Sequence, residues 1–529
     1  MTATIPALLA RAATEFANIE AVVDGERRMT YAELFVAAKQ LAAATRSSGL
    51  RTGDRVAIWA PNSLEWIVTA LGASWAGLVL VPMNTRLRGP EAATVLEMSS
   101  AQALFTVNGF LGVDYAGMLE AAGFDTSRLV ATVVLEGESG TGTLTFDEFL
   151  SAGQRSDAEV TSALETVAPT DLCDIIYTSG TTGSPKGVLS RHEQNVHLYS
   201  SWCEITGLRK NDRYLIANPF SHSFGLKAGI FVCVMQGATM YPERVFDTES
   251  VMRKVHQERI TALPAPPTIY MSILNHPRRS DYDLSSWRIA VPGGAVNTVT
   301  MVERVMTELA CEVMVVGYGL TECGCVTMTR RDSDADSIVN TAGWPLPGIE
   351  VRIAHADGPD EGAELAAGAV GEIYIRGFPV TQGYLDEPDA TARAFAPDGW
   401  LRTGDLGLID DRGRLRITDR KKDMYIVGGL NAYPAEIENA MARHPDIAQV
   451  AVIGVPDERL GEVGMAFVVA RPDRVPDPDE IIAWCRAQIS NYKVPRFVEV
   501  VDALPLTATG KAQKPQLRAL AADLLRPVS

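Results

Sequence analysis

The sequence predicts an α/β protein with a large N-terminal domain of doubly wound sheets plus a small β-barrel, and a small α+β C-terminal domain. Uniformly apolar strands alternate with helices along most of the chain, a pattern typical of parallel sheets covered on both faces. Short, glycine-bounded segments of alternating polarity begin near residue 343 and indicate antiparallel strands. A chain of 529 residues also exceeds one ordinary hydrophobic core.

Helix and strand signals alternate from the start. Residues 1–20 lack a basic start with a sustained apolar core, so we expect an amphipathic helix rather than a secretion signal. Thr30 and Glu33 form a capping box ahead of LFVAAKQLAAA. The strand DRVAIWA follows, then a helix in NSLEWIVTALGASWAG with a start at Asn62 and Glu65, then the strand LVLVP. The apolar stretch IVTALGASWAGLVLVPM, residues 67–83, is too short to span a membrane. It predicts a buried helix that leads into a buried strand.

Further strands and a second unit complete the predicted organisation. Apolar strands are expected in IIYTS, DRYLIANP, ITALPAPP, RIAVPGG and CEVMVVGYG, and ligands bind such sheets at the carboxyl ends of the strands. GEIYIRG, GWLRTGDLGLID and GRLRITDR predict the antiparallel strands of the small barrel. A compact α/β unit follows the basic run at residues 420–422, so we place the domains at residues 1–421 and 422–529.

Composition excludes several classes of function. A net charge of -17 argues against a nucleic-acid partner. Seven irregularly spaced cysteines indicate a reducing compartment, and Cys323 and Cys325 are expected to be structural thiols rather than metal ligands. The seven histidines also lack metal-ligand spacing. We therefore expect a cytoplasmic protein without a membrane span or a zinc site. The sequence leaves the oligomeric state open and is compatible with a homodimer.

The stretch YTSGTTGSPKGV, residues 177–188, has the composition of a phosphate-binding loop. Its glycines allow backbone N–H groups to turn towards an anion, its hydroxyls add donors, and Lys186 supplies charge. It is not a Walker A motif, because Pro185 precedes the lysine and Gly187 stands where Ser or Thr would bind magnesium. The alternative is a flexible surface turn.

This loop, with GYGLTE, GWLRTGD, ITDRKKDMYIVGGLNAYPAEIE and PLTATGK, resembles the adenylate-forming superfamily over nearly the whole chain. That superfamily comprises acyl-CoA synthetases, luciferases and the adenylation domains of peptide synthetases. The resemblance is nearest to bacterial fatty-acid–CoA ligases, including the actinobacterial type that acts on the propanoate side chain of steroid remnants. It implies two half-reactions: a carboxylate and ATP give acyl-AMP and pyrophosphate, and CoA then displaces AMP.

The resemblance also implies roles for individual residues. Thr181 and Glu322 match the positions that hold Mg²⁺. Lys511 would stabilise the charge that develops between the carboxylate and the α-phosphate, and His222 would lie beside the carboxylate. A mobile C-terminal domain would turn at Lys422. The implied nucleotide-binding set is Thr178, Ser179, Gly180, Thr181, Thr182, Gly183, Lys186, Gly294, Ala295, Tyr318, Gly319, Thr321, Glu322, Asp405, Arg420 and Lys511, and Gly428 and Gly429 would border CoA.

Four functional interpretations follow: a stand-alone acyl-CoA ligase, an adenylating enzyme that loads a separate carrier protein, a luciferase-like oxygenase, and a non-catalytic homologue. Both Lys511 and Glu322 are present, which disfavours the last. Eighteen residues after Lys511 leave no room for an attached carrier domain. The ligase is the main prediction.

The acid is predicted to be hydrophobic, either a fatty acid or a ring-bearing propanoate. Walls of the acyl pocket are expected in HSFGLKAGIFVCVMQG, LPAPPTIYMSI, VPGGAV and LTECGCV, where no acidic residue besides the implied Mg²⁺ ligand Glu322 is available to an ammonium group. Lys227 is unusual in this apolar run. We expect its ammonium group to extend to the surface, and the alternative is that it faces a polar group of the substrate.

Overall fold

The computed structural model describes residues 3–153, 167–178, 185–293, 299–309, 311–357, 361–421, 423–427, 430–457, 459–489, 491–507 and 511–525. For Arg420, Leu430 and Asn431 only the backbone is described. Among these residues, no helix combines the length and the apolar character that a membrane crossing requires.

Two seven-stranded sheets form the larger part of the molecule. Each consists of parallel strands and ends in one antiparallel hairpin. In spatial order the first contains Val313–Met314, Ile289–Pro292, Ala262–Ala265, Arg213–Ile216, Thr239–Pro242, Glu20–Asp24 and Arg27–Thr30. The second contains Leu144–Thr145, Ala131–Val134, Ala103–Thr106, Arg55–Trp59, Val79–Pro82, Leu172–Thr178 and Lys186–Arg191. The predicted doubly wound parallel sheets are confirmed.

Three smaller sheets follow along the chain, and antiparallel pairing dominates them. One contains Gly317–Leu320, Gly324–Met328 and Trp344–Pro345, and the next contains Ile349–Ala354, Gly371–Gly377, Leu401–Ile409 and Leu415–Arg420. The last contains Leu430–Ala432, Tyr425–Val427, Gly461–Ala470 and Ile447–Asp457, with Phe497–Val500 added in parallel to Gly461–Ala470. The separate C-terminal α+β unit is therefore present as predicted.

Helices cover the faces of these sheets. The α-helices are Ile5–Glu15, Tyr31–Ser47, Leu64–Trp75, Gly89–Ser99, Tyr115–Ala121, Phe146–Ala152, His192–Thr206, Ser223–Gly225, Val232–Gln236, Thr248–Glu258, Pro267–Leu274, Val299–Glu308, Ala335–Asn340, Pro388–Ala394, Pro434–Met441, Pro478–Gln488 and Lys514–Leu524. A π-helix spans Leu226–Phe231, and short 3₁₀ turns span Phe110–Gly112, Thr126–Arg128, Arg279–Asp281 and Asn491–Lys493.

Burial follows the predicted apolar patterns. Every residue of helix Leu64–Trp75 and of strand Val79–Pro82 is buried, as expected for this apolar stretch. One hydrophobic core joins the two large sheets, and a second covers the other face of the first sheet. Two further cores lie on the C-terminal sheet. Because the C-terminal unit buries its own apolar residues, it has the organisation of a separate domain.

Three local predictions need correction. Ser63, not Asn62, caps the helix that follows, because its hydroxyl accepts the N–H of Trp66. The segment CEVMVVGYG divides into strand Val313–Met314 of the first large sheet and strand Gly317–Leu320 of the three-stranded sheet. Within the described ranges, the three- and four-stranded sheets show no ladder that closes them into a barrel.

Candidate active site

The two strands on either side of the predicted phosphate loop pair as an antiparallel hairpin. Strand Leu172–Thr178 pairs with strand Lys186–Arg191, and Thr178 and Lys186 face each other across the ladder. The Nζ atom of Lys186 lies 5.1 Å from the centroid of the Tyr384 ring, within the range of a cation–π attraction. The hairpin thus fixes one positive charge at the mouth of the loop.

Tyr384 also contacts Glu322. Its hydroxyl donates a hydrogen bond to Oε1 of Glu322 over 2.9 Å. The N–H of Thr381 donates to the backbone carbonyl of Glu322 over 2.7 Å, and the N–H of Leu385 donates to the carbonyl of Gly187 over 2.8 Å. Burial, and then the charge of Glu322, raises the pKa of Tyr384, so the phenol keeps its proton as a donor. One segment therefore connects the phosphate hairpin with the candidate metal ligand.

Asp405 contacts Tyr318 and lies opposite Arg420 in the backbone ladder. Asp405 is 5% exposed, and its Oδ2 accepts a hydrogen bond from the Tyr318 hydroxyl over 2.6 Å. Burial first, and then Asp405, raises the pKa of Tyr318 well above its ordinary value. Arg420 lies directly opposite Asp405 in the antiparallel ladder. A buried carboxylate oriented by the Tyr318 hydroxyl is therefore held beside strand Gly317–Leu320.

His222 is a neutral side chain at the start of a helix. Its Nδ1 accepts the N–H of Phe224 over 3.1 Å, so we assign the ring proton to Nε2. Burial, and then the positive charges of Lys511 and Lys227, lowers the pKa of His222 to about 4. Its Nε2–H can therefore donate a hydrogen bond to a carboxylate.

Lys511 reaches the same place from the C-terminal unit. Its positive charge contributes to the lowered pKa of His222. The backbone of Lys511 is held by Thr507, whose N–H donates to the Lys511 carbonyl over 2.7 Å and whose Oγ1 accepts the Lys511 N–H over 3.0 Å. The charge of Lys511 therefore acts on His222 although the two residues are distant in the chain.

Lys227 does not extend to the surface, which corrects the favoured prediction. It is 3% exposed, and its Nζ lies 2.9 Å from Oδ1 of Asp174 and donates to Oγ of Ser190 over 2.8 Å. Asp174 is fully buried and its Oδ2 accepts a hydrogen bond from Asn195 over 2.8 Å. A charged lysine is tolerated in this apolar run because a buried carboxylate compensates it.

The remaining predicted residues fall into two groups. Thr321 and Gly319 lie in the strand and turn that lead to Glu322. Predictions that lie outside the described residues are Ser179, Gly180, Thr181, Thr182, Gly183, Gly294, Ala295, Lys422, Gly428 and Gly429. Sequence reasoning missed Tyr384, Asp174 and Asn195. The glycine before Tyr384 in QGYLDEP was its only local signal.

The cysteines have no feature of a metal site. All seven are free thiols. Burial raises the pKa of Cys325 to about 12 and raises that of Cys323 further, which disfavours thiolate ligands. Across the described ranges, no group of three or more His, Cys, Asp or Glu side chains is arranged to hold a metal ion.

The structure thus describes an α/β protein in which tyrosine hydroxyls hold the carboxylates of Glu322 and Asp405, and in which His222 is neutral. Residues 9–385 match the AMP-binding enzyme family, and residues 436–511 match the AMP-binding enzyme C-terminal domain. The chain belongs to the AMP-binding enzyme family. It is an AMP-forming acid–thiol ligase, an acyl-CoA synthetase that uses ATP and CoA.

Relatives match nearly the whole chain. A 3-[(3aS,4S,7aS)-7a-methyl-1,5-dioxo-octahydro-1H-inden-4-yl]propanoyl:CoA ligase of Rhodococcus jostii (strain RHA1) is 47% identical over 519 residues, which are 97% of this chain and 98% of the relative. A ligase of the same name from Mycobacterium tuberculosis (strain ATCC 25618 / H37Rv) is 46% identical, over 98% and 99% of the two chains. The solved structure of the anthranilate CoA ligase AuaEII in complex with anthranoyl-AMP superimposes with a TM-score of 0.88 at 26% identity, over 98% of each chain.

Proposed function

We propose that the acid activated by this enzyme is a hydrophobic, ring-bearing propanoate with ring carbonyl groups. The match at 46–47% identity to two ligases named for such an acid carries the proposal. The apolar segments HSFGLKAGIFVCVMQG and LTECGCV agree with it, because the described residues of these segments are largely buried and supply no carboxylate to a charged amine other than Glu322. Simple fatty acids of similar length are the second candidate class.

Two cations would support the attack of the carboxylate on the α-phosphate. Both reactants are anions, so positioning and charge neutralisation must supply most of the catalysis. We assign Lys186 to the outer phosphates and Lys511 to the carboxylate and α-phosphate. His222 would donate from Nε2 to the acid carboxylate, since burial and the neighbouring lysines keep the ring neutral. The interaction between His222 and Lys511 supports this arrangement as the adenylation state.

Glu322 fits a role as a ligand of Mg²⁺. It is a half-buried carboxylate whose Oε1 is held by Tyr384, while no described donor contacts its Oε2. Mg²⁺ prefers such hard oxygen ligands together with substrate phosphates. Bound there, the ion would neutralise phosphate charge, and Thr181 would supply the second ligand.

Asp405 and Arg420 are proposed to bind the ribose. The buried Asp405 carboxylate, oriented by Tyr318, is an acceptor for hydroxyl groups, and Arg420 lies opposite it. Tyr318 and Gly319 would border the adenine together with Gly294 and Ala295.

Domain alternation is proposed at Lys422. Strand Leu415–Arg420 belongs to the four-stranded sheet, whereas strand Tyr425–Val427 belongs to the C-terminal sheet, so sheet membership changes around this residue. This supports the division into residues 1–421 and 422–529. After rotation, Gly428 and Gly429 would lie beside the CoA thiol arm, where small side chains let the backbone come close.

We also propose a cytoplasmic location. All seven cysteines are free thiols, and six of them are buried. A long chain with this many unpaired cysteines is typical of a reducing compartment.

A panel of acids tests the proposed function. Pyrophosphate release and CoA thioester formation are measured for the bicyclic dioxo propanoate, for medium- and long-chain fatty acids, and for ferulate. The highest kcat/KM is expected for the bicyclic acid. A preference for an unbranched fatty acid would overturn the proposed substrate. Replacement of CoA by a holo-carrier protein in the same assay tests the thiol acceptor, and CoA is expected to react faster.

A further inference from the structure

A small cavity adjoins the segment that carries Glu322. Its volume is about 10 Å³, which is the space of one water molecule. Thr321 and Cys323, which flank Glu322 in the chain, line one side of it. Lys227 and Tyr199 line the other. The cavity therefore separates the Glu322 segment from the π-helix and from helix His192–Thr206.

Two buried side chains that line this cavity, Tyr199 and Lys227, can each donate one further hydrogen bond. Tyr199 is 3% exposed, and within the described part of the chain its hydroxyl has no hydrogen-bond partner. That hydroxyl lies 3.6 Å from the position that a Cβ on Gly324 would take, and Gly324 also lines the cavity. Lys227 has three N–H groups and contacts two described partners, Asp174 and Ser190. The Tyr199 hydroxyl and the third N–H of Lys227 therefore have no acceptor among the described residues, and an unpaired buried donor is costly.

The charges that line the cavity favour a neutral hydrogen-bond acceptor as its occupant. Lys227 is held in place by Asp174 and Ser190, so it cannot swing towards solvent. Asp174 already compensates the ammonium charge, so an anionic occupant would add an excess negative charge. A neutral acceptor with two lone pairs satisfies both donors. A ketone oxygen has this property and is about as large as the water that the cavity accommodates.

We propose that this cavity is a carbonyl subsite of the acyl pocket. In it, the Tyr199 hydroxyl and the Lys227 ammonium group donate hydrogen bonds to a ring ketone of the acid, whose oxygen displaces one water molecule. This subsite rests on the proposed function. Its two donors, the Tyr199 hydroxyl and the Lys227 ammonium group, would distinguish a keto acid from a hydrocarbon of the same shape. A site built to bond a polar group discriminates strongly against an analogue that lacks it, because its own donors then remain unpaired.

The test compares the bicyclic keto propanoate with the analogue in which the ring ketones are replaced by methylene groups. Tyr199→Phe removes one donor and keeps the ring. We expect kcat/KM for the keto acid to fall about 10- to 100-fold and that for the methylene analogue to change less than about twofold. Tyr115→Phe is the matched control, because Tyr115 is a buried tyrosine whose hydroxyl bonds the carbonyl of Thr85 elsewhere. It should leave the ratio of the two acids unchanged.

Lys227 is tested through a paired substitution. Lys227→Met alone would leave the Asp174 carboxylate buried and unpaired, which endangers folding. The double variant Asp174→Asn with Lys227→Met removes both charges and should lose the preference for the keto acid, measured as the ratio of kcat/KM for the two acids. Thermal unfolding of each variant verifies that it is folded.

The outcomes separate the subsite from the proposed function. If the unmodified enzyme activates the keto acid but Tyr199→Phe lowers the rates of both acids equally, or of neither, the subsite is wrong and the function stands. If the unmodified enzyme activates neither ring acid, both fail. Competitive inhibition by the non-hydrolysable acyl-AMP analogues of the two acids gives the same comparison without turnover.

Discussion

Single side chains in this site each serve two neighbours. Tyr384 attracts Lys186 with its ring face and holds Glu322 with its hydroxyl. His222 caps the N-terminus of a helix with Nδ1, and its Nε2–H remains available to the substrate. Few residues thus orient most of the candidate catalytic groups, and their substitution should affect the adenylation step in particular.

Tyr384→Phe should lower the rate of pyrophosphate release about tenfold, because Glu322 loses a hydrogen bond that fixes its carboxylate. The half-saturating Mg²⁺ concentration should rise, whereas thioester formation from supplied acyl-AMP should persist. Tyr384→Leu should be more severe, since the aromatic face beneath Lys186 is lost as well. Tyr282→Phe is the control, because it removes a Tyr–Glu hydrogen bond of 2.8 Å at the surface. An unchanged Mg²⁺ dependence in Tyr384→Phe would contradict the positioning role.

Lys511→Ala should reduce acyl-AMP formation by at least about 100-fold, because its charge stabilises the adenylation transition state. Thioester formation from supplied acyl-AMP and CoA should largely survive, since Lys511 has no proposed role in that half-reaction. Lys514→Ala is a matched control in the same segment, where Lys514 pairs with Glu438 at 3.2 Å. Equal loss of both half-reactions in Lys511→Ala would refute the assignment.

At the scale of elements, loops at the carboxyl ends of two different sheets are tied together. Asn62 follows strand Arg55–Trp59 of the second sheet. Its Nδ2 donates to the carbonyls of Ile216 and Asn218, and its Oδ1 accepts the N–H of Phe220. Ile216 ends a strand of the first sheet, and Asn218 and Phe220 lie in the loop that leads from it to His222, so Asn62 helps to position that histidine.

Asn62→Ala should destabilise the protein by about 2–3 kcal/mol, because three buried backbone groups lose their partner. Ser63→Ala, which removes the cap of the adjacent helix, should cost about 1 kcal/mol. Denaturant unfolding of the two variants measures the difference. Only Asn62→Ala should also raise the KM for the acid. A larger loss in Ser63→Ala would show that the ties between the sheets contribute little.

At the scale of the whole molecule, a buried histidine makes stability depend on pH. His192 is 1% exposed, and its Nδ1 accepts the N–H of Ile5 over 3.3 Å. Burial lowers the pKa of His192 from 6.5 to about 4, although Asp174 and Asp171 oppose the shift. The unfolded chain therefore binds a proton at a higher pH than the folded chain does, and acidification favours unfolding.

The stability that His192 contributes should be fully present above pH 6.5 and should be lost as the pH falls towards 4. At about pH 5 the expected loss from this residue is about 2 kcal/mol. Unfolding midpoints of the wild type and of His192→Gln, measured at about pH 7.5 and about pH 5, report it. The fall should be smaller in the variant. The same fall in both proteins would mean that other groups dominate the acid response.

The order of motifs and the polarity patterns were sufficient for the fold class. The capping box of Thr30 and Glu33, the apolar parallel strands and the glycine-bounded antiparallel strands are local features, and local backbone preferences determine them. The family resemblance also gave Glu322, Asp405 and His222 as candidate site residues, and their shared site stays a prediction.

Only the tertiary structure decided the environments of Lys227, Asn62 and Tyr384. Lys227 is buried because Asp174, on a strand distant in sequence, compensates its charge. Side-chain chemistry alone favours the surface for an unpaired lysine, since the cost of burying a charge depends on a partner that local sequence does not reveal. Asn62 likewise has the composition of a helix start, but it bonds another sheet. Contacts between distant segments arise only when the sheets and helices pack, and that packing determines which polar groups become paired.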